Sequence, residues 1–310
     1  MNIRNALTPI VDAETGEVTS YGTAGVDRLL QQFEAAERQR NAYSEKKKRE
    51  EAMARDQRHF LKVFESGCEI MSEASLADLG VLFKLTTSLY YGCAGLLLRD
   101  AGRDEILKPL KRSDLMKLLN KSKNGIDAAI ERLERIGAIR KDTEVRPHKY
   151  YISEDLVSFG RGTGTGHFTK VYKTEAKRLL KQLTDREAGA IFKCLPYVHH
   201  RTHALVFNPH EKDLTKVIAI RGKELARILG LDYDSLTNLT PKLKRKGAMM
   251  LVDVGTAGKG YVINPYVCDR GYYSEYTEQA RNYFTIFADK KNKHEHVYVQ
   301  DERVHLKEKS

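Results

Sequence analysis

Apolar residues along this chain recur mostly at helical spacings of three and four, and alternate as a strand would only in short runs. From Ala24 to Arg58, Val26, Leu29, Phe33, Ala36, Arg40 and Tyr43 fall on one seam, which predicts a long helix. Its latter half, Glu45 to Arg58, is charged nearly all round. That pattern suits a solvated helix with its first half packed on a domain, or a short dimerising coiled coil. Residues 1–23 carry little periodicity and read as a flexible arm. Beyond His59 the order is a short strand (Phe60–Phe64), a helix from Ser75 towards Tyr90, an apolar stretch (Leu96–Leu98), a short helix from Ser113, and a turn at Asn120-Lys121. A longer helix, Ser122–Ile136, and two strands, Ala138–Lys141 and Tyr150–Ile152, close the series.

The same order then returns. His59-Phe60-Leu61-Lys62-Val63-Phe64 recurs as His167-Phe168-Thr169-Lys170-Val171-Tyr172, and Leu115…Leu118-Leu119…Leu133…Gly137-Ala138 recurs as Leu225…Ile228-Leu229…Leu243…Gly247-Ala248. The offset is about 110 residues, too long for a solenoid unit, so it marks a duplicated domain. In the second copy Thr184-Asp185-Arg186-Glu187 forms a capping-box pattern at a helix start. Gly137 and Gly247 end the longer helices as C′ glycines would. Short helix, tight turn, longer helix and hairpin make a helix-turn-helix with a wing. The expected fold is therefore α+β, mainly helical: two tandem winged helix-turn-helix domains with a long N-terminal helix and a C-terminal helix.

The expected boundaries are 1–58 for arm and charged helix, 59–159 for the first winged-helix domain and 168–271 for the second. Residues 160–167 form a Gly-rich linker between them. It lacks the phosphate-loop spacing and leads into a strand, so it reads as a flexible tether that lets the two copies settle independently. Residues 272–310 begin with an aromatic helix (Tyr272, Tyr273, Tyr276, Tyr283, Phe284, Phe287) and end in a charged tail. The aromatic stripe suits docking, on the second domain or in a dimer, better than base stacking. Pro241, inside the last long helix, predicts a kink, a break after Thr240, or a helix shorter than its twin.

Charge sharpens this picture. The net charge is +11, yet residues 161–271 hold twenty Lys and Arg against ten Asp and Glu, while residues 60–160 are nearly balanced. A polyanion responds to a local field, so the second copy is the expected main DNA reader. Four scattered cysteines without a CxxC pair read as reduced thiols. Together with the absence of a signal-peptide layout and of any apolar run long enough to span a bilayer, they point to a cytoplasmic protein without a membrane partner.

In a helix-turn-helix the start of the second helix meets base edges in the major groove. In the second copy Leu236, Leu239 and Leu243 point inward, which leaves Tyr233, Ser235, Thr237 and Asn238 as candidate readers. Lys242, Lys244, Arg245 and Lys246, with Lys259 in the Gly-rich wing 255–260, are candidate phosphate contacts. In the first copy Lys121, Ser122, Lys123 and Asn124 open the helix, and Arg140, Arg146 and Lys149 lie on the wing beside His148. Asp127, Glu131 and Glu134 oppose a phosphate backbone there, so this copy is either a weaker DNA contact or a protein-binding domain.

The stretch Arg221–Gly271, with Gly222-Lys223-Glu224-Leu225-Ala226…Leu243-Lys244…Gly247 and then Tyr261-Val262-Ile263-Asn264-Pro265-Tyr266…Gly271, resembles the RepL-type replication proteins of small plasmids and phages. The likeness covers roughly the second repeat, and the Asn264-Pro265 ending is its specific part. The tandem architecture is also similar to iteron-binding plasmid initiators. These resemblances imply sequence-specific binding of double-stranded DNA at an origin and recruitment of host replication proteins.

Catalysis is not expected. The stretch His199-His200-Arg201-Thr202-His203, with His210 beyond, lacks the Glu of HExxH and reads as exposed loop histidines near DNA. No metal or cofactor is expected. Tyr197 beside His199 makes a nicking nucleophile conceivable, but the repeated frame argues against it. The leading expectation is a plasmid or phage replication initiator, followed by a transcription regulator with the same domains, then an architectural or protein-interaction scaffold. A homodimer is open through either terminal helix.

Overall fold

A pair of glycines in the middle of two crossing helices does more to organise this molecule than the linker between its repeats. The structure, a computed structural model, describes residues 8–11, 14–22, 31–32, 34–44, 47, 58–99, 107–160, 163–253, 259–271, 277, 280–281 and 284. The chain divides into two units, residues 1–57 and residues 58–310.

In the first unit, β1 (Thr8–Val11) pairs antiparallel with β2 (Val18–Gly22), from Thr8↔Gly22 to Val11↔Val18. The flexible arm expected over residues 1–23 is thus in part a hairpin, and Gly16 takes the left-handed conformation in its loop (φ 70°). Residues 34–44 are helical, and Ala36, Arg40 and Tyr43 of the expected seam are exposed. Val26, Leu29 and Phe33 lie outside the described residues.

The second unit contains both repeats. The first runs through β3 (Phe60–Phe64), α1 (Cys68–Glu73), α2 (Leu76–Thr86), α3 (Arg112–Leu119), α4 (Lys123–Arg135), β4 (Ile139–Asp142), β5 (Lys149–Ile152) and β6 (Val157–Ser158). The second follows with β7 (Phe168–Tyr172), α5 (Lys173–Leu180), α6 (Asp185–Cys194), α7 (Gly222–Leu229), α8 (Tyr233–Arg245), β8 (Met249–Asp253), β9 (Lys259–Ile263) and β10 (Cys268–Asp269). The short helices α1 and α5 are additions to the elements expected from sequence. The architecture is α+β with helices predominating and small sheets.

The two copies share one sheet, ordered β10-β7-β3-β6. Its central pair is antiparallel and symmetric about the equivalent residues Lys62 and Lys170, which face each other; Phe60 faces Tyr172 and Phe64 faces Phe168. The outer strands repeat one register, Lys62↔Ser158 on one side and Lys170↔Asp269 on the other. Below the sheet α2 crosses α6. A Cβ on Gly80 would collide with the Asp185 backbone, and one on its counterpart Gly189 with the Leu76 backbone. The missing side chains let the helices touch. Phe83 and its counterpart Phe192 pack with ring centroids 5.0 Å apart. Lys62 sits over the Phe168 ring at 5.3 Å and Lys170 over the Phe60 ring at 5.6 Å.

Every one of these contacts maps onto its partner when the copies are exchanged, so a local twofold axis relates them. One continuous apolar core, including Leu61, Leu82, Leu133, Val171, Ile191 and Leu243, runs through both. Independent settling of the two copies, as the Gly-rich linker suggested, is therefore excluded. The linker itself is held: Thr163 donates to Asp155 at 2.7 Å, Gly164 abuts the Phe64 ring, and the His167 ring stacks on His210.

Candidate nucleic-acid interface

Each copy presents two helices joined by a left-handed residue and followed by a hairpin. Asn120 (φ 50°) ends α3 and Gly230 (φ 69°) ends α7. Asn tolerates this region through its short polar side chain, and Gly meets no Cβ penalty. The helices that follow start on side-chain caps. Ser122 accepts from the Gly125 N–H, and Asp232 from the Ser235 N–H at 2.6 Å. Both are thirteen residues long and end at Gly137 and Gly247, in the left-handed region as expected. Hairpins β4–β5 and β8–β9 then run antiparallel.

Inside α8, Leu236, Leu239 and Leu243 are buried, while Tyr233, Thr237, Asn238, Lys242 and Arg245 are exposed. Pro241 neither breaks nor shortens the helix, which runs unbroken from Tyr233 to Arg245. The ring lies on the exposed side, and the carbonyl deprived of its donor belongs to exposed Thr237, within reach of water. The Thr237 and Thr240 hydroxyls donate back to Tyr233 and Leu236 carbonyls, both at 2.6 Å.

The candidate readers are not equally available. The Ser235 hydroxyl donates to Asp232 at 2.8 Å and the Thr237 hydroxyl is engaged within its helix. Tyr233 folds its ring towards Gly222 at the start of α7 while staying half exposed. Asn238 is exposed and its amide makes no hydrogen bond within the described residues. Asn124 at the start of α4, beside exposed Lys123, is equally uncommitted.

Two candidate cations are engaged in ion pairs within the protein. Lys246 pairs with Glu187 at 2.6 Å within the second copy, and Lys121 of the first copy pairs with Asp185 of the second at 2.7 Å. Burial pushes the Glu187 carboxyl up, but Lys246 and the Thr184 cap outweigh it and hold it below the usual carboxylate range. Asp185 is lowered by the same balance, with burial opposed by Lys121 and Lys84. Arg140 covers the Tyr151 ring at 4.4 Å, Lys149 is half-buried, and Arg146 lies exposed in the β4–β5 loop. Lys244 is half-buried on α8 and Lys259 is exposed where β9 begins; residues 254–258 of that wing lie outside the described residues.

Sequence reasoning missed two cations. Arg132 on α4 grips Asp78, the counterpart of Glu187, with bonds of 2.9 and 2.7 Å. Burial raises the Asp78 carboxyl, while Arg132 and Ser75 together bring it below its ordinary value. Arg186 acts electrostatically on Asp232, at the N-cap of α8. A 3.6-period search down one segment cannot find such pairs, whose members are 54 and 46 residues apart.

Two of the histidines correct an expectation, while His210 is exposed and His200 half-buried. His199 and His203 are fully buried rather than exposed beside DNA. His199 organises its loop through Thr202 (3.1 Å) and the Glu211 carbonyl (2.8 Å), and burial drives its pKa down to about 4. His203 meets Thr277 at 3.2 Å, tying that residue to the second copy. Phe284, from the aromatic stripe, is buried among Ala204, Val206, Met250 and Val262, so docking on the second copy holds for that residue; Tyr272, Tyr273, Tyr276, Tyr283 and Phe287 lie outside the described residues. No group of three His, Cys, Asp or Glu among the described residues is placed to hold a metal. No described helix is long and apolar enough to cross a membrane.

Asn264, in the Asn264-Pro265 segment that follows β9, donates to the Gly247 carbonyl at 2.7 Å and accepts from the Tyr266 N–H at 2.9 Å. It clamps the end of α8 to the exit of β9. The chain matches no protein-family model, no curated protein and no solved structure.

Proposed function

We propose that the chain is a sequence-specific double-stranded-DNA-binding protein, that its two helix–turn–helix–hairpin copies are winged helices, and that it initiates replication of a plasmid or phage. The observation that carries this reading is the exposed face of α8. A helix anchored by Leu236, Leu239 and Leu243 presents uncommitted Asn238 near its middle and Lys242 and Arg245 towards its end. Asn pairs bidentately with adenine in the major groove, and the cations grip phosphates on either side. In α4 the exposed polar pair Lys123 and Asn124 lies at the helix start instead, where α8 has Tyr233 and Asp234, and makes the first copy a second and weaker DNA contact. No catalytic step belongs to this reading; host replication proteins act on the origin that the chain marks.

The twofold relation of the copies also fits a palindromic operator, which favours transcription regulation as the second reading. Footprinting with the full chain on DNA flanking its own coding region separates the two. Protected repeats beside an AT-rich segment support initiation, one protected site over a promoter supports repression, and no protection on any duplex sinks both.

A further inference from the structure

A cavity of about 310 Å³ lies between α1 of the first copy and α6 and α7 of the second. Cys68 and Met71 line it from α1, Lys193 from α6, Tyr197 from the turn that follows, and Arg227 and Ile228 from α7. Neither Lys193 nor Arg227 makes an ion pair or a side-chain hydrogen bond among the described residues. Arg227 is exposed, so water serves it, but Lys193 is half-buried.

The twofold relation explains why Lys193 is left alone. Its counterpart Lys84 reaches Asp185, at the start of α6, at 2.7 Å. The residue equivalent to Asp185 at the start of α2 is Leu76, which is apolar and buried. Burial then holds the Lys193 ammonium below the ordinary lysine range, opposed only by Cys194. A half-buried cation without a counter-charge has lost hydration that nothing in the fold returns.

The cavity at the mirror position is built differently. It measures about 220 Å³ and is lined by Lys117, the counterpart of Arg227, together with Asp114. That cavity supplies a carboxylate of its own, whereas no Asp or Glu lines the larger one. Burial, and after it Cys68 and Cys194, push the Tyr197 phenol up, so at neutral pH it keeps its proton and can donate.

We propose that the larger cavity binds a small phosphate monoester with an apolar body, the phosphate held by Lys193 and Arg227 and the body covered by Met71, Tyr197 and Ile228. A phosphate monoester carries nearly two negative charges at pH 7, one for each cation, and the guanidinium fork suits its oxygens. A carboxylate would satisfy only one of the two. The volume is at the small end for ligand pockets, which limits the body to about one ring. The site stands independently of the DNA-binding reading, since none of these residues belongs to α8.

Phenyl phosphate is the probe, titrated calorimetrically into the full chain at pH 7 beside inorganic phosphate and benzoate. One phenyl phosphate per chain is expected, bound about tenfold more tightly than either comparator, because only it offers both ring and dianion. Lys193→Gln and Arg227→Gln are each expected to weaken it about tenfold, while Lys193→Arg, which keeps the charge, holds it. Lys117→Gln at the mirror cavity and Lys242→Gln/Arg245→Gln on α8 are expected to leave it unchanged. In the wild-type chain, phenyl phosphate is expected to slow acetylation of Lys193, followed by mass spectrometry; that readout decides if a variant fails to fold. No binding, a loss caused by the α8 pair instead of Lys193 and Arg227, or an acetylation rate indifferent to phenyl phosphate overturns the site. Inorganic phosphate or benzoate bound as tightly as phenyl phosphate overturns the ligand class.

Discussion

The two copies are built alike at their shared centre and differently at its margins. Near the axis the contacts are reciprocal: Lys62 over Phe168 and Lys170 over Phe60. Farther out the chemistry inverts. Glu65 of the first copy binds buried Arg270, which also donates to the Pro196 carbonyl. Its counterpart in the second copy is Lys173, which donates to the Leu89 carbonyl at 2.6 Å and lies 3.8 Å from the Tyr90 ring centroid. The Lys121–Asp185 ion pair is matched on the other side by the apolar residues Leu231 and Leu76. An interface of like subunits must use one chemistry twice, whereas a fused pair is free to use two. The outer faces of the hairpins have parted as well. The second offers Ala204, Val206, Met250 and Val262 to Phe284, while the first is capped by Arg140 over Tyr151.

The largest effect is expected where the asymmetry is most buried. Glu65→Ala leaves the Arg270 guanidinium buried without its carboxylate and is expected to cost about 3 kcal/mol in urea unfolding. Lys173→Ala removes a cation from a carbonyl and a ring, and a smaller loss is expected. Equal losses would mean that the inverted chemistry is energetically neutral. Next, Gly80→Ala and Gly189→Ala should each cost roughly 2 kcal/mol, because either Cβ forces α2 and α6 apart. These two should match each other, since the twofold axis exchanges them; a large change for one alone breaks the relation.

On the DNA side, Asn238→Ala is expected to lose about 1–3 kcal/mol of discrimination at one base position in competition binding, with little change on random duplex. Loss of the same size on both would remove Asn238 from base reading. A further effect, gradual with pH, is the titration of the second copy. His199 is held neutral by burial, with its folded pKa at about 4 against an ordinary value near 6.5. The unfolded chain binds the extra proton first, so stability is full above about pH 6.5 and falls as pH drops towards 4, by at most about 1 kcal/mol per unit. His199→Gln should flatten that slope in urea titrations between those limits. An unchanged slope would place the response on other groups.

Local rules made much of this molecule readable. The Thr184 capping box and the C′ glycines are decided within a few residues, and each stands where the sequence placed it, whereas the short helix expected from Ser113 begins at Arg112 with Lys111 as its N-cap. The inward leucines of α8 followed from a 3.6 period in the same way. What escaped was decided over long distances. Nothing local to His59–Phe64 says that it pairs with its own repeat, so the copies read as tethered rather than fused. His199 sits in a polar stretch that looks exposed until Glu211 closes over it. Lys121 and Lys246 read as free cations because Asp185 and Glu187 lie on another helix. Even the hairpin at Thr8–Gly22 has strands too short for a periodic signal.

On the proposed reading the second copy does most of the DNA binding. The salt dependence of affinity for one duplex tests this, comparing the wild-type chain with Lys242→Gln/Lys244→Gln/Arg245→Gln and with Lys123→Gln/Arg140→Gln/Arg146→Gln. Changing the second copy should weaken binding broadly and reduce the slope of log affinity against log salt by roughly one unit for each phosphate no longer neutralised. The first-copy set should do less. A greater fall in affinity and slope from the first-copy set would contradict it.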